Sequence, residues 1–306
     1  MAYARSYGRR RYGVRRRYAG KRRFAPRRRP MRTRKTPRRM SRPRRKTILN
    51  VTSTKKMDTL MTVSNGGTHV VQMQPGKTAS GVSATLWSPT ALMLASPNVS
   101  STSSRNAHSV FWRGVQENVS LKTDISDPFT WRRIVVELDT LPPDGTVGFA
   151  KYVQRSSEPE FGGVPPQPSL GMTGVFSYFR TGLLLTDAEN SALQDALFRG
   201  VRNIDWVDAT LASVDRQYRV LYDKTRVFRS PNDAGTIRRQ KLWHGINKQC
   251  VYEDAERGAV TGGSEFPTLS RHGLKNIFIW DQFNTLPSGD LNIQLQYVAK
   301  RYWHEK

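Results

Sequence analysis

The densest chemistry in this 306-residue chain sits in its first 46 residues, where 22 Lys and Arg stand without a single Asp or Glu. The cations are clustered: Arg9, Arg10 and Arg11; Arg15, Arg16 and Arg17; Lys21, Arg22 and Arg23; Arg27, Arg28 and Arg29; Arg38 and Arg39; Arg44, Arg45 and Lys46. Arg far outnumbers Lys. A guanidinium offers a planar fork of donors that grips two phosphate oxygens, where an ammonium acts as a point charge. Tyr3, Tyr7, Tyr12, Tyr18 and Phe24 recur among the arginines, and flat rings of this kind stack on unpaired bases. The pattern implies nucleic-acid binding with no sequence preference, because phosphate contacts position a protein without reading bases. A nuclear-import signal is a second, compatible reading of the same clusters.

This arm cannot build a core. It has few aliphatic residues and strong self-repulsion, so burial cannot offset the entropy of ordering it. Pro26, Pro30, Pro37 and Pro43 exclude a continuous helix. Residues 1–46 are therefore read as a disordered basic arm and 47–306 as one folded domain. Of the net charge of +26, the arm holds +22, which leaves 28 basic against 24 acidic residues after it. The arm lacks the apolar centre of a secretory signal. Residues 78–104 carry no charge, but Gly81, Pro89 and Pro97 interrupt them, so they are not read as a membrane span.

Catalytic constellations are missing from the pattern. Pro75-Gly76-Lys77-Thr78 resembles the end of a phosphate-binding loop, yet Val71 stands where that motif needs Gly, and the residues that follow are poor helix formers. Cys250 is the only cysteine, so internal disulfides and cysteine zinc sites are excluded, and a reducing compartment fits. His69, His108, His244, His272 and His304 show neither i, i+2 nor i, i+4 spacing. The carboxylate pairs Glu158/Glu160 and Glu253/Asp254 read as solvated surface. The expectation is a protein with no enzymatic activity, catalytic residue, cofactor or metal.

The elements after the arm are strands. Thr47–Val63 and Thr68–Gln74 flank the turn Asn65-Gly66-Gly67. The uncharged stretch that follows reads as a long surface loop. In Ser109–Lys122, Val115, Glu117, Val119 and Leu121 share one face and Gln116, Asn118, Ser120 and Lys122 the other. Trp131–Leu138 is a strand with Val147–Val153 as its expected hairpin partner; residues 156–174 read as a loop and Thr173–Arg180 as a strand. Thr186-Asp187-Ala188-Glu189 is a capping box that opens one short helix with Leu193, Ala196 and Leu197 as its stripe, and Gly200 can stop it. Further strands are expected at Gln217–Asp223, Lys224–Arg229, Thr236–Trp243, Gln249–Glu253, Leu274–Gln282 and Leu291–Trp303. Eight or more strands with unequal loops predict an all-β domain, a single jelly-roll sandwich of two antiparallel sheets.

Two clusters of the body mix cations with apolar residues: Trp131-Arg132-Arg133 and Arg238-Arg239-Gln240-Lys241-Leu242-Trp243. Arg132, Arg133, Arg238, Arg239 and Lys241 are candidate DNA contacts on an inner wall that continues the arm's electrostatics. A salt-bridged strand edge explains them equally well. Tyr222-Asp223-Lys224-Thr225-Arg226 reads as a turn between two strands.

The chain resembles the capsid proteins of genomoviruses, of the gemycircularvirus kind. The resemblance rests on the Met1-Ala2-Tyr3 start and Arg-rich arm, Leu49-Asn50-Val51-Thr52-Ser53-Thr54-Lys55-Lys56, Trp131-Arg132-Arg133, Thr186-Asp187-Ala188-Glu189, Tyr222-Asp223-Lys224-Thr225-Arg226 and Tyr302-Trp303-His304-Glu305-Lys306. It implies a jelly-roll subunit that assembles with itself, sixty copies to an icosahedral shell, around circular single-stranded DNA. It further implies import receptors of a host nucleus as partners and the virion as final location. The same family's replication initiator would need a His-x-His pair and a complete phosphate loop, which this chain lacks. Two rivals are a cellular nucleic-acid-binding protein of chromatin or ribosomal type and a tethered nucleic-acid enzyme.

Overall fold

The computed structural model describes residues 51–64, 69–92, 94, 102–139, 152–155, 177–231, 234–253, 255–257, 260–262, 264–268, 273–286 and 290–306. The expected arm and the loop at 156–174 lie outside them. In chain order the elements are β1 (Thr54–Ser64), β2 (Val71–Met73), β3 (Val82–Trp87), β4 (Ser109–Thr123), β5 (Phe129–Leu138), β6 (Tyr152–Arg155), β7 (Ser177–Leu185), α1 (Asp187–Leu197), β8 (Arg219–Phe228), β9 (Ile237–Val251), β10 (Ala255–Arg257), β11 (Val260–Gly262), β12 (Asn276–Asn284) and β13 (Ile293–Glu305).

Hydrogen bonding arranges eight of these as two antiparallel sheets, β1-β13-β4-β9 and β3-β12-β5-β8. Of these eight, successive strands cross from one sheet to the other except at β5 and β8, which are neighbours in one sheet, as in a jelly roll. β7 ties the two together along one side, pairing parallel with β1 and antiparallel with β3. On the other side the edge strands β8 and β9 approach each other, and Arg226 Nη1 donates to Gln240 Oε1 at 2.6 Å.

The two sheets differ in their surroundings, and their sequences follow suit. In β1, β4, β9 and β13 buried and exposed residues alternate, as they must in a sheet with one packed face. Every residue of β3 is buried, and nearly every one of β5 and β12. One face of that second sheet meets the first sheet. The other lies under α1 and residues 198–214, where Leu193, Leu197, Phe198 and Trp206 pack on Leu86, Ile134, Val136, Phe278 and Trp280.

The all-β sandwich and the helix stand as expected. Thr186 Oγ1 accepts from the Glu189 amide and Glu189 returns a bond to the Thr186 amide, so the capping box forms. Pro75–Lys77, read as no phosphate loop, is a single 3-10 turn followed by an extended residue. Several local readings need correction. The uncharged stretch contains β3, whose Ser83 and Thr85 are buried on a strand with no alternation to announce it. Tyr222–Arg226 is no turn but the middle of β8, and 237–251 is one strand rather than two. β6 pairs with β7 and not with β5, whose neighbours are β12 and β8. On α1, Ala196 is exposed, and Asn190 and Gln194 join Leu193 and Leu197 on the buried side.

Candidate nucleic-acid interface

Charge placement in the first sheet follows strand parity. Its strands carry three carboxylates in all, and each points inward and is paired. Asp58 meets Arg301 at 2.5 Å, Glu305 meets Lys56 at 3.0 Å, and Glu117 meets Arg133 at 2.5 Å and Arg180 at 2.8 Å. The outward positions of the same strands carry Lys55, Arg113, Lys122, Arg239, Lys241 and Lys300, with no carboxylate among them. A domain that is almost neutral by count thus presents one purely cationic sheet face.

The inward pairs are most extensive at the centre of the sandwich. Arg133 binds Asp281 with two hydrogen bonds, Nε at 2.6 Å and Nη2 at 2.7 Å, and reaches across to Glu117 with Nη1. The Asp281 carboxylate also accepts from Trp131 Nε1 and the Tyr297 hydroxyl, both at 2.8 Å. The Arg180 guanidinium lies 3.5 Å from the centre of the Tyr297 ring. Burial alone would raise the Asp281 carboxyl, yet the Arg133 charge and hydrogen bonds bring it below the usual carboxylate range. His244 Nε2 stands 3.5 Å from Arg133 Nη1, which can only donate, so this nitrogen is the acceptor. Burial first, and the Arg133 charge second, lower the His244 imidazole to about 4.

This ionic layer divides the core. Glu117, Arg133, His244 and Asp281 each take an inward position between two apolar ones. On one side lie Val115, Val135, Ile246 and Ile279; on the other, Val119, Trp131, Leu242 and Phe283. Arg132 and Arg133, candidates for a DNA-contacting wall, are therefore corrected. Both are buried on an interior strand, Arg133 in this layer and Arg132 bound by Asp223 at 2.7 Å and by the Ala209 carbonyl. Arg133 is thus held in a dry pair and Arg132 in a part-buried one, and both guanidinium groups are engaged by carboxylates rather than free for a phosphate.

Arg239 and Lys241 do lie on the outward face, two residues apart on β9 and across from Ser120 and Asn118 of β4. Arg238 is exposed but sits at the inward parity, across from buried Leu121. An open depression of about 540 Å³ runs over this part of the sheet, lined among others by Met61, Asn118, Arg239, Lys241, Gln296 and Val298. The arm's arginines, lysines and rings lie outside the described residues.

Trp243 follows on the same line of β9, and its indole lies over a floor of two glycines. Gly114 and Gly245 face each other across β4 and β9. A Cβ at Gly114 would collide with the His244 carbonyl and stand 2.8 Å from the indole, and the backbone there has φ +153, which favours glycine. The register of β4 shifts at this point, against both β9 and β13, and the irregularity puts Arg113 beside the glycine. Arg113 Nη1 donates to Asn247 Oδ1 at 2.7 Å. Tyr302 leans on Trp243 with ring centres 5.7 Å apart and planes at 56°. Nearby, burial and then the Arg113 and Lys55 charges hold the His304 imidazole below its usual value.

Sequence reasoning named Arg239 and Lys241 as candidate contacts and quoted Trp243 only as an apolar member of their cluster; it assigned no contact to Lys55, Arg113, Lys300 or Tyr302, which flanking elements bring to the same face. One signal was within reach: Glu117 stands among Val115, Val119 and Leu121, and a carboxylate on an apolar face demands a buried cation. Among the described residues no cluster of His, Cys, Asp or Glu is arranged to hold a metal ion, and no helix is long and apolar enough to cross a membrane. The chain matches no protein-family model and no curated protein.

Proposed function

We propose that this chain is the coat subunit of a small virus of genomovirus type. Copies of residues 47–306 close into an icosahedral shell of sixty subunits, and the arm 1–46 gathers circular single-stranded DNA inside it. One observation carries the reading: a jelly-roll body of nearly balanced charge is joined to 22 cations with no carboxylate among them. Such a division suits a container. The body must meet copies of itself without net repulsion, while the arm must neutralise a polyanion. Sixty arms of +22 supply about 1,320 positive charges, enough by counterion release to offset on the order of a thousand phosphates. The basic clusters also suit recognition by nuclear-import receptors, which fits assembly in a host nucleus before release as a virion.

Electron microscopy of the purified full chain, with analysis of its nuclease-protected nucleic acid, tests the proposal. Uniform closed particles holding single-stranded DNA are expected. Monomers with no protected strand would remove the coat reading in favour of a cellular nucleic-acid-binding protein. Glutamine replacements at Arg9–Arg11 and Arg15–Arg17 remove six cations and should flatten the salt dependence of DNA binding.

A further inference from the structure

We propose that the outward face of the β1-β13-β4-β9 sheet is a second binding surface for single-stranded DNA, on which Trp243 stacks an unpaired base while Arg113 and Lys241 hold the phosphates on either side. The inference rests on the packaging role proposed above, but names a site in the folded body rather than in the arm.

Exposure of Trp243 is the first argument. The chain has seven tryptophans, and six are buried to 9% accessibility or less, whereas Trp243 is 53% exposed. An indole left open is an unused apolar surface, and this one is pre-positioned. Gly114 and Gly245 support it from below and Tyr302 from the side, so little side-chain freedom remains to be lost when a base arrives.

Its neighbours give the second. Along β9 the outward residues run Trp243, Lys241, Arg239, and residues two apart on a strand are spaced about 6.7 Å. That step suits the repeat of an extended polynucleotide backbone. Arg113 lies at the opposite end of the indole, steadied by Asn247, so the aromatic surface has a cation on each side. Aromatic rings interleaved with cations in a groove are the means by which unpaired strands are bound without sequence preference. A duplex would offer this site no free base face.

Charge decides among occupants. All six cations of the face lack a carboxylate neighbour on it, because the carboxylates of these strands are turned into the core. A second copy docked through the same face would set two cationic surfaces against each other. A polyphosphate strand meets complementary charge over the whole width of the sheet.

Because the other six indoles are buried, Trp243 reports on its own site in the full chain. The experiment titrates the protein with a thymidine oligonucleotide and, separately, with an abasic sugar-phosphate strand of equal length, following tryptophan emission and its quenching by acrylamide. The thymidine strand is expected to quench Trp243 and shield it from acrylamide, and the abasic strand to do neither. Trp243→Phe should abolish the signal. Trp243→Ala should weaken binding about tenfold with the salt slope unchanged. Lys241→Ala should lower the slope of log affinity against log salt by about one. Trp243 remaining open to acrylamide in a DNA-saturated protein overturns the inference and leaves the coat reading intact. Shielding that appears on assembly without DNA marks the face as a contact between subunits and overturns it too. Quenching by the oligonucleotide in a protein that forms no particles would instead leave this site standing and remove the coat reading.

Discussion

The two faces of the β1-β13-β4-β9 sheet are made by the same four strands and treat charge in opposite ways. Toward the core, Asp58, Glu117 and Glu305 are each matched to a cation within 3.0 Å. Toward solvent, six cations stand without a carboxylate. Buried charges must be paired because desolvation is expensive, while exposed charges are screened and need no partner. The comparison teaches that net charge per domain is a poor guide to surface potential. A body that is nearly neutral by count becomes cationic on one face when the carboxylates of that sheet's strands all point inward.

The largest expected effect strikes the inner face. Asp281→Ala leaves Arg133 without its two-bond partner in a dry layer and should destabilise the fold by roughly 3–5 kcal/mol. Chemical denaturation measures this; a loss under about 1 kcal/mol would show that Arg133 does not need its partner and that the inner face tolerates an unpaired charge as the outer one does.

Acid comes next. His244 is faced by Arg133 of β5, Glu117 of β4, Asp281 of β12 and the Tyr222 ring of β8, 5.1 Å away. Its imidazole titrates at about 4 in the folded protein and near 6.5 when unfolded. The unfolded chain therefore takes up the proton first. Stability from this group is full above pH 6.5 and falls as pH drops from 6.5 toward 4, by up to about 3 kcal/mol. Denaturation of the parent and of His244→Gln at pH 7 and pH 5 should show the parent losing more. Equal losses would mean that another group governs the slope.

The smallest effect belongs to the outer face. Lys241→Ala and Lys55→Ala should each change stability by less than about 0.5 kcal/mol, since neither cation has an ion-pair partner among the described residues. A larger loss in a melting experiment would show that the outer cations are structural after all, and the contrast between the faces would disappear.

Legibility followed the environment of each sheet. In Ser109–Lys122 alternation was plain because one face of β4 is packed and the other wet. β3 was missed because both its faces are covered, and Val-Ser-Ala-Thr-Leu-Trp then has no period to display. β8 was cut in two at Asp223-Lys224, a pair that reads as a turn until Arg132 is seen to hold the aspartate. The helix was recognised from its cap because that signal lies within four adjacent residues.

What the amino-acid sequence determined alone is whatever acts over short range: the cationic arm, the strand-rich body, the capped helix and the inward parity of Glu117. What only the tertiary structure decided is which charge meets which. Arg133 finds Asp281 across 148 positions, and Arg180 finds Glu117 across 63. Side-chain parity is a local property of a strand, but the partner opposite depends on sheet order, register and the stacking of one sheet on another. Those choices, made together, sent the anions inward and left the cations of one face to the solvent.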